Sequence, residues 1–245
     1  MRFVILIAAA LPLMAGDLEN FTDTSLNYTQ RNSACFALRG NRTPEAIAAM
    51  RSALDNANLQ ACAAANLRIA GADADLLDAL QRDKDPTARA AAAQQLGETR
   101  KSKYLAILRS AAEDRDPLVS SNAVEGLMSY EDHSSIPQLR EVALLGGMAS
   151  TLAIGILIDW HDPEVAAIGR KLMAHSDPGD QIAGIRAVGL TGDASDLPRL
   201  RELQKNDTAM GAGKRGFGLM PAISIGRTAH TAIQNIESRS ARIDR

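Results

Sequence analysis

Asp85-Pro86-Thr87-Ala88-Arg89-Ala90-Ala91-Ala92-Ala93-Gln94-Gln95-Leu96-Gly97 is the stretch whose reading decides the fold. Asp85 suits a helix N-cap, because its carboxylate accepts from the free backbone N–H groups of the first turn and its charge favours the positive end of the helix dipole. Pro86 suits the next position, where a missing N–H removes no helical hydrogen bond. Ala88, Ala91, Ala92 and the Gln95-Leu96 pair then recur at i, i+3, i+4 and i+7, the period of one helix face. Gly97 is expected to close the helix.

The stretch repeats. Asp116-Pro117-Leu118-Val119 leads through Ala123-Val124-Glu125-Gly126-Leu127, and Asp177-Pro178 leads to Ala187-Val188-Gly189. Weaker copies start at Asn56 and Gly146, so the starts 56, 85, 116, 146 and 177 are spaced 29, 31, 30 and 31. Another amphipathic stretch precedes each later start: Leu76, Leu77 and Leu80; Ile107, Leu108 and Ala111; Leu139, Val142 and Ala143; Ile168 and Leu172. Leu197, Leu200 and Leu203 supply one more. Each unit therefore reads as two antiparallel helices, and such a pair buries its apolar face only by stacking on a neighbour.

The pattern Asp-Pro-x-x-Arg-x-x-Ala-x-x-x-Leu-Gly, complete at residues 85–97, resembles the short HEAT-like repeat of the phycobilin-lyase type. The resemblance covers residues 43–238. It implies an all-α fold, a right-handed α-solenoid of about six helix-pair HEAT-like repeats. Tetratricopeptide and ankyrin repeats have nearby periods, but their Trp-Leu-Gly-Tyr and Thr-Pro-Leu-His signatures are missing.

Composition agrees with this class. The chain has 245 residues, 46% hydrophobic but only 3% aromatic, and its apolar content is mostly Ala and Leu, which favours helix over sheet. A net charge of −2 supplies no general field for nucleic acid or an anionic membrane, so neither is expected as a partner. Residues 1–16 read as a secretory signal peptide: Arg2 is the charged start, Phe3–Met14 the apolar run, and Ala15 and Gly16 the small residues at which cleavage is expected. The run is well short of the roughly 20 apolar residues of a membrane span. The expected location is thus exported, periplasmic or extracellular, with no membrane span in the mature chain. In an oxidising compartment Cys35 and Cys62, the only two cysteines, are expected to form a disulfide. It would tie an irregular N-terminal segment, residues 17–42, to the first repeat. The Asn-x-Thr sites at Asn20, Asn27, Asn41 and Asn206 are read as polar loop chemistry.

The period predicts a further cap near Asp207, but the matching helix arrives only at Ala232-Ile233-Gln234-Asn235-Ile236. Ile236 stands 48 residues after Val188 rather than 30, so about 18 residues are inserted, a Gly-rich insertion at 208–225. Inserted loops of solenoids project from one face and often carry binding, which makes Lys214, Arg215 and Phe217 candidate partner contacts. Gly211-Ala212-Gly213-Lys214-Arg215-Gly216 also spells Gly-x-Gly-x-x-Gly, but it follows a charged helical stretch with no βαβ unit, so nucleotide binding is not expected. Residues 239–245, with Arg239, Arg242 and Arg245, read as a basic solvated tail.

No constellation for chemistry stands out. His133, His161, His175 and His230 fall in different repeats, and no Gly-x-Ser-x-Gly elbow is present. HEAT-like iron-dependent protein hydroxylases rely on His-Glu pairs, and the sequence has none. Trp160, the sole tryptophan, is read as a packing wedge at a repeat junction. No cofactor or metal set and no catalytic residue is assigned. The expected function is an exported, non-catalytic scaffold that binds a protein partner along the second helices of the repeats, where Gln94, Glu125, Gly155 and Arg186 occupy equivalent places; Gln94, Glu125 and Arg186 join the candidate contacts. The alternative is a lyase-type HEAT-repeat enzyme or enzyme subunit.

Overall fold

The computed structural model describes residues 11–205, 209–210 and 223–243. These fold as an all-α solenoid of paired helices, divided between two compact units, Met1–Glu131 and Asp132–Arg245. Unit 1 contains α1 (Leu11–Thr22), α2 (Tyr28–Ala37), α3 (Pro44–Ser52), α4 (Gln60–Ala70), α5 (Asp73–Arg82), α6 (Pro86–Glu98), α7 (Leu105–Ala111) and α8 (Pro117–Met128). Unit 2 contains α9 (Ile136–Ala143), α10 (Gly147–Asp159), α11 (Val165–Leu172), α12 (Pro178–Thr191), α13 (Leu197–Leu203) and α14 (Ile225–Ile243). From α3 onward the helices fall into six pairs, and short 3-10 turns lead into α7, α9 and α13.

The expected caps form at the strongest copies. Asp85 accepts from the Thr87 N–H at 2.8 Å, Asp116 from Leu118 at 2.9 Å, and Asp177 from Gly179 at 2.8 Å, each with proline in the first turn of the helix. Gly146 has no side chain to cap α10, and Asp180 of α12 accepts from the Gly147 N–H at 2.7 Å in its place. Gly146 has φ +83°, and a Cβ there would lie less than 3.0 Å from that carboxylate, so glycine is required twice over. Asn56 is not the cap of α4. Its side chain turns to the Asn58 N–H, its carbonyl accepts from Gln60, and the helix begins at Gln60.

Gly97 and Gly189 do not end their helices. Gly97 lies inside α6, where an added Cβ would fall less than 3.0 Å from the Gly126 backbone of α8. Gly189 lies inside α12 against Ala232 of α14, and Gly169 and Gly184 face each other between α11 and α12 in the same manner. A glycine at a helix end and one at a close crossing carry the same sequence signal.

Charged staples join successive repeats. Arg51 reaches Asp83 at 2.8 Å, Arg89 reaches Asp114 at 3.4 Å, Arg140 reaches Asp162 at 2.7 Å and Arg170 reaches Asp196 at 2.7 Å. Each aspartate also accepts a backbone N–H of its own turn: Asp85, Asp116, Glu164 and Asp193 respectively. A turn carboxylate thus orders its loop and binds the preceding repeat through one group.

The segment 17–42 is largely helical rather than irregular. Asn27 caps α2 in a reciprocal capping box with Gln30, Asn41 accepts from the Thr43 N–H, and Phe21, Cys35 and Leu38 are buried. Polar Asn/Thr content signals caps here as much as loops. The Cys35–Cys62 disulfide joins α2 to α4 with Cα atoms 6.4 Å apart, and Asn66 donates to the Cys35 carbonyl at 2.6 Å. In the expected basic tail Arg242 is exposed and Arg245 lies outside the described residues, but Arg239 differs from expectation. Arg239 belongs to α14 and donates to the Gly189 and Gly192 carbonyls at 2.6 and 2.8 Å, satisfying the C-terminus of α12.

Within the 208–225 insertion, β1 (Ala209–Met210) and β2 (Ile223–Ser224) pair as antiparallel strands, in the register Ala209 with Ser224. Asp116→Ala removes the carboxylate that accepts from the Leu118 and Val119 N–H groups at the start of α8. It is expected to lower stability by about 1 kcal/mol, read as a reduced denaturant midpoint with unchanged slope.

Candidate partner-binding face

Within each unit the second helix of a pair buries its sides and back and leaves one stripe outward. In unit 1 the α6 stripe carries half-buried Gln94 and exposed Glu98, and the α8 stripe carries exposed Leu118, half-buried Asn122 and Glu125, and Met128 at its edge. Arg68 of α4 donates to Gln95 at 2.8 Å and pairs with Glu98 at 2.9 Å, which fixes the edge of this face. Gln94 and Glu125 make no side-chain hydrogen bond or ion pair among the described residues. In unit 2 the α10 stripe carries exposed Met148, Thr151 and Gly155 with half-buried Leu152, and the α12 stripe carries exposed Arg186 and Leu190.

Gln94, Glu125 and Arg186 therefore stand where the repeat register places them, each outward on a second helix. Residues 211–222, with Lys214, Arg215 and Phe217, lie outside the described residues. Trp160, at the end of α10, is half-buried and stacks on His133 with ring centroids 4.7 Å apart.

A polar cluster that no sequence motif announces sits among the first helices of unit 1. Asp73, at the start of α5, accepts from the Lys101 ammonium and from the Tyr104 hydroxyl at 2.9 Å, while Lys103 lies over the Tyr104 ring at 4.7 Å. Tyr130 donates to the Lys101 carbonyl at 3.0 Å. These partners come from sequence separations of 28–31, one repeat apart, too far for local spacing to link them. Burial acts to raise the Asp73 carboxyl pKa, but the bonds from Lys101 and Tyr104 and the charges of Lys101 and Lys103 outweigh it and hold it below the ordinary value. Its second oxygen is buried with no hydrogen-bond partner among the described residues. An open cavity of about 770 Å³ borders this cluster, walled by Leu77, Ala106 and Ile107 and edged by Gln81 and Lys103. The ionised carboxylate, held by Lys101 and Tyr104 from the next repeat, forms a polar joint between repeats.

Among the described residues no group of three or more His, Cys, Asp or Glu side chains is gathered as a metal site, and no helix is long and apolar enough to cross a membrane. Residues 74–146 match the family described as HEAT repeats. No curated protein matches the chain. Among solved structures it is similar to human deoxyhypusine hydroxylase in complex with glycerol, at 16% identity and a TM-score of 0.41, over 93% of this chain and 96% of that one.

Because the folded Asp73 pKa lies below that of an unfolded aspartate, its contribution to stability is present above about pH 4 and is lost as pH falls through the folded pKa. Asp73→Asn is expected to be less stable than the native protein at pH 7. The gap should close during acid titration, read from thermal midpoints measured at intervals down to pH 2.

Proposed function

We propose that the protein is an exported, non-catalytic scaffold of short, phycobilin-lyase-type HEAT-like repeats that holds a protein partner against its second-helix stripes. The observation that carries this reading is the contrast between the two kinds of surface. The turns are tied by repeated Asp caps and Arg–Asp staples, whereas Gln94, Glu125 and Arg186 are unpaired among the described residues and differ from repeat to repeat. Variation at fixed outward positions is what a surface shaped to one partner has, and a rigid repeat frame reduces the ordering needed on binding. Export is supported by the charged start and apolar run of residues 1–16 and by the Cys35–Cys62 bond. The interruption of the repeat at 208–225 supports Lys214, Arg215 and Phe217 as an extension of the same contact.

Affinity capture from the native extracytoplasmic fraction tests the reading. The intact protein should retain a partner, and its mass should place the N-terminus near Gly16 or Asp17. Glu125→Arg, and replacement of residues 211–222 by a Gly/Ser linker, should each reduce the amount retained while circular dichroism is unchanged. Recovery of no partner by the intact protein contradicts the scaffold function.

A further inference from the structure

We propose that the outward stripes of α10 and α12 dock an acidic, amphipathic segment of the protein partner. The inference rests on the scaffold reading above and names the chemistry its partner must have. Residues 147–158 of α10 contain no charged side chain. Ala149, Ser150, Ala153, Ile154, Ile156 and Leu157 are buried, which accounts for the inward part of that composition. Of the six that remain, Met148, Thr151, Leu152 and Gly155 fall at i, i+3, i+4 and i+7 and form an outward stripe in which Leu152 is half-buried, while Gly147 starts the helix and Ile158 is half-buried near its end. Met148 is 67% exposed, Leu145 just before the helix is 66% exposed, and a Cβ built on Gly155 meets nothing within 4 Å. The outward stripe carries no charge from Gly147 to Ile158, and its apolar side chains, exposed Met148 and half-buried Leu152, have no cover among the described residues, whereas apolar helix faces are normally buried. The empty space over Gly155 leaves room for a partner side chain to approach the backbone.

Charge selects the occupant. On the adjoining α12 stripe Arg186 and Leu190 stand at i and i+4, both exposed, and Arg186 has no hydrogen bond or ion pair among the described residues. Nearby acids do not pair with it. Asp180 is held by the Gly147 N–H and by His175 at 3.0 Å, Asp177 caps its own helix, and the exposed Asp159 at the end of α10 makes no ion pair with Arg186. An unpaired guanidinium beside an apolar strip matches a carboxylate, which it can bind through two parallel hydrogen bonds. Residues 211–222 of the same chain contain Lys214 and Arg215 and no acid, so they carry the sign of Arg186 and do not complement it. The fitting occupant is a segment of another protein that presents leucine-like side chains on one face and carboxylates at its edge.

The test uses the intact protein and a fluorescein-labelled 18-residue helical probe with Leu at i, i+3, i+4 and i+7 and Glu at the edges, beside a counterpart in which every Glu is Gln. Fluorescence anisotropy at low salt should show the acidic probe binding about fivefold more tightly than the neutral one. Arg186→Glu should erase that preference. Gly155→Gln should weaken both probes, since it fills the open site while replacing glycine by a better helix former, and its melting profile should show it folded. Equal binding of the two probes by the native protein, or undiminished binding to Gly155→Gln, overturns the proposal. A dimer in sedimentation that Gly155→Gln dissociates also overturns it, because the face is then covered by a second copy. Partners captured equally by the native protein and Gly155→Gln would keep the scaffold and remove this face, whereas failure of the native protein to capture any would remove the scaffold itself.

Discussion

Gly97 of α6 and Gly126 of α8 meet with no room for a methyl group between their backbones, and the stacking of the repeats depends on crossings of this kind. The same close approach recurs at Gly169 with Gly184 and at Gly189 with Ala232. Glycine inside a helix costs about 1 kcal/mol relative to alanine, so the close packing it permits must stabilise the fold by more than that. Close approach lets Ala-rich faces fill the interior without aromatic side chains, since many short dispersion interactions between backbones and methyl groups replace a few large ones. Gly97 lies twelve residues after the Asp85 cap and Gly126 ten after the Asp116 cap, so the crossing brings together different heights of the two helices.

Polar locks then secure what small-residue packing aligns. Asp85, Asp116 and Asp177 satisfy the first turns, Asp180 does so for its neighbour α10, and Arg239 satisfies the end of α12. The side chains of Asp162 and Asp196 are almost wholly buried, yet each is matched by an arginine and a backbone N–H, so burial leaves no unanswered charge. With turns and inner faces committed in this way, the outward stripes of the second helices are the part of each unit whose chemistry can vary without loss of fold. That division of labour links the packing to the proposed binding role.

The repeat was legible in the sequence because Asp-Pro at residues 85, 116 and 177 recurs with the repeat period, and the structure starts a helix at each, whereas the off-period Asp162-Pro163 forms a turn before α11. Glycine has two meanings, and Gly97 and Gly189 were legible as special but not as crossings. Asn56 and the residues around Asn27 and Asn41 misled in opposite directions, because Asn serves turns and caps equally well. Gln94, Glu125 and Arg186 do lie at equivalent places on second helices, the first two half-buried and the third exposed. The Asp73–Lys101–Tyr104 cluster and the Arg–Asp staples were not legible, since each joins residues 22 to 32 positions apart whose types are common everywhere on protein surfaces. Arg239 was hidden by its place near the end of the chain, where basic residues usually face solvent.

The stacking of the repeats stands or falls on whether glycine at a crossing is there for space. Gly97→Ala and Gly155→Ala make the same chemical change inside two helices, one at the crossing with α8 and one facing open solvent. Helix propensity alone favours both by about 1 kcal/mol. Denaturant unfolding of the two variants beside the native protein separates the effects. Gly155→Ala is predicted to raise the midpoint and Gly97→Ala to lower it. An equal rise in both would contradict a steric role for the crossing glycines.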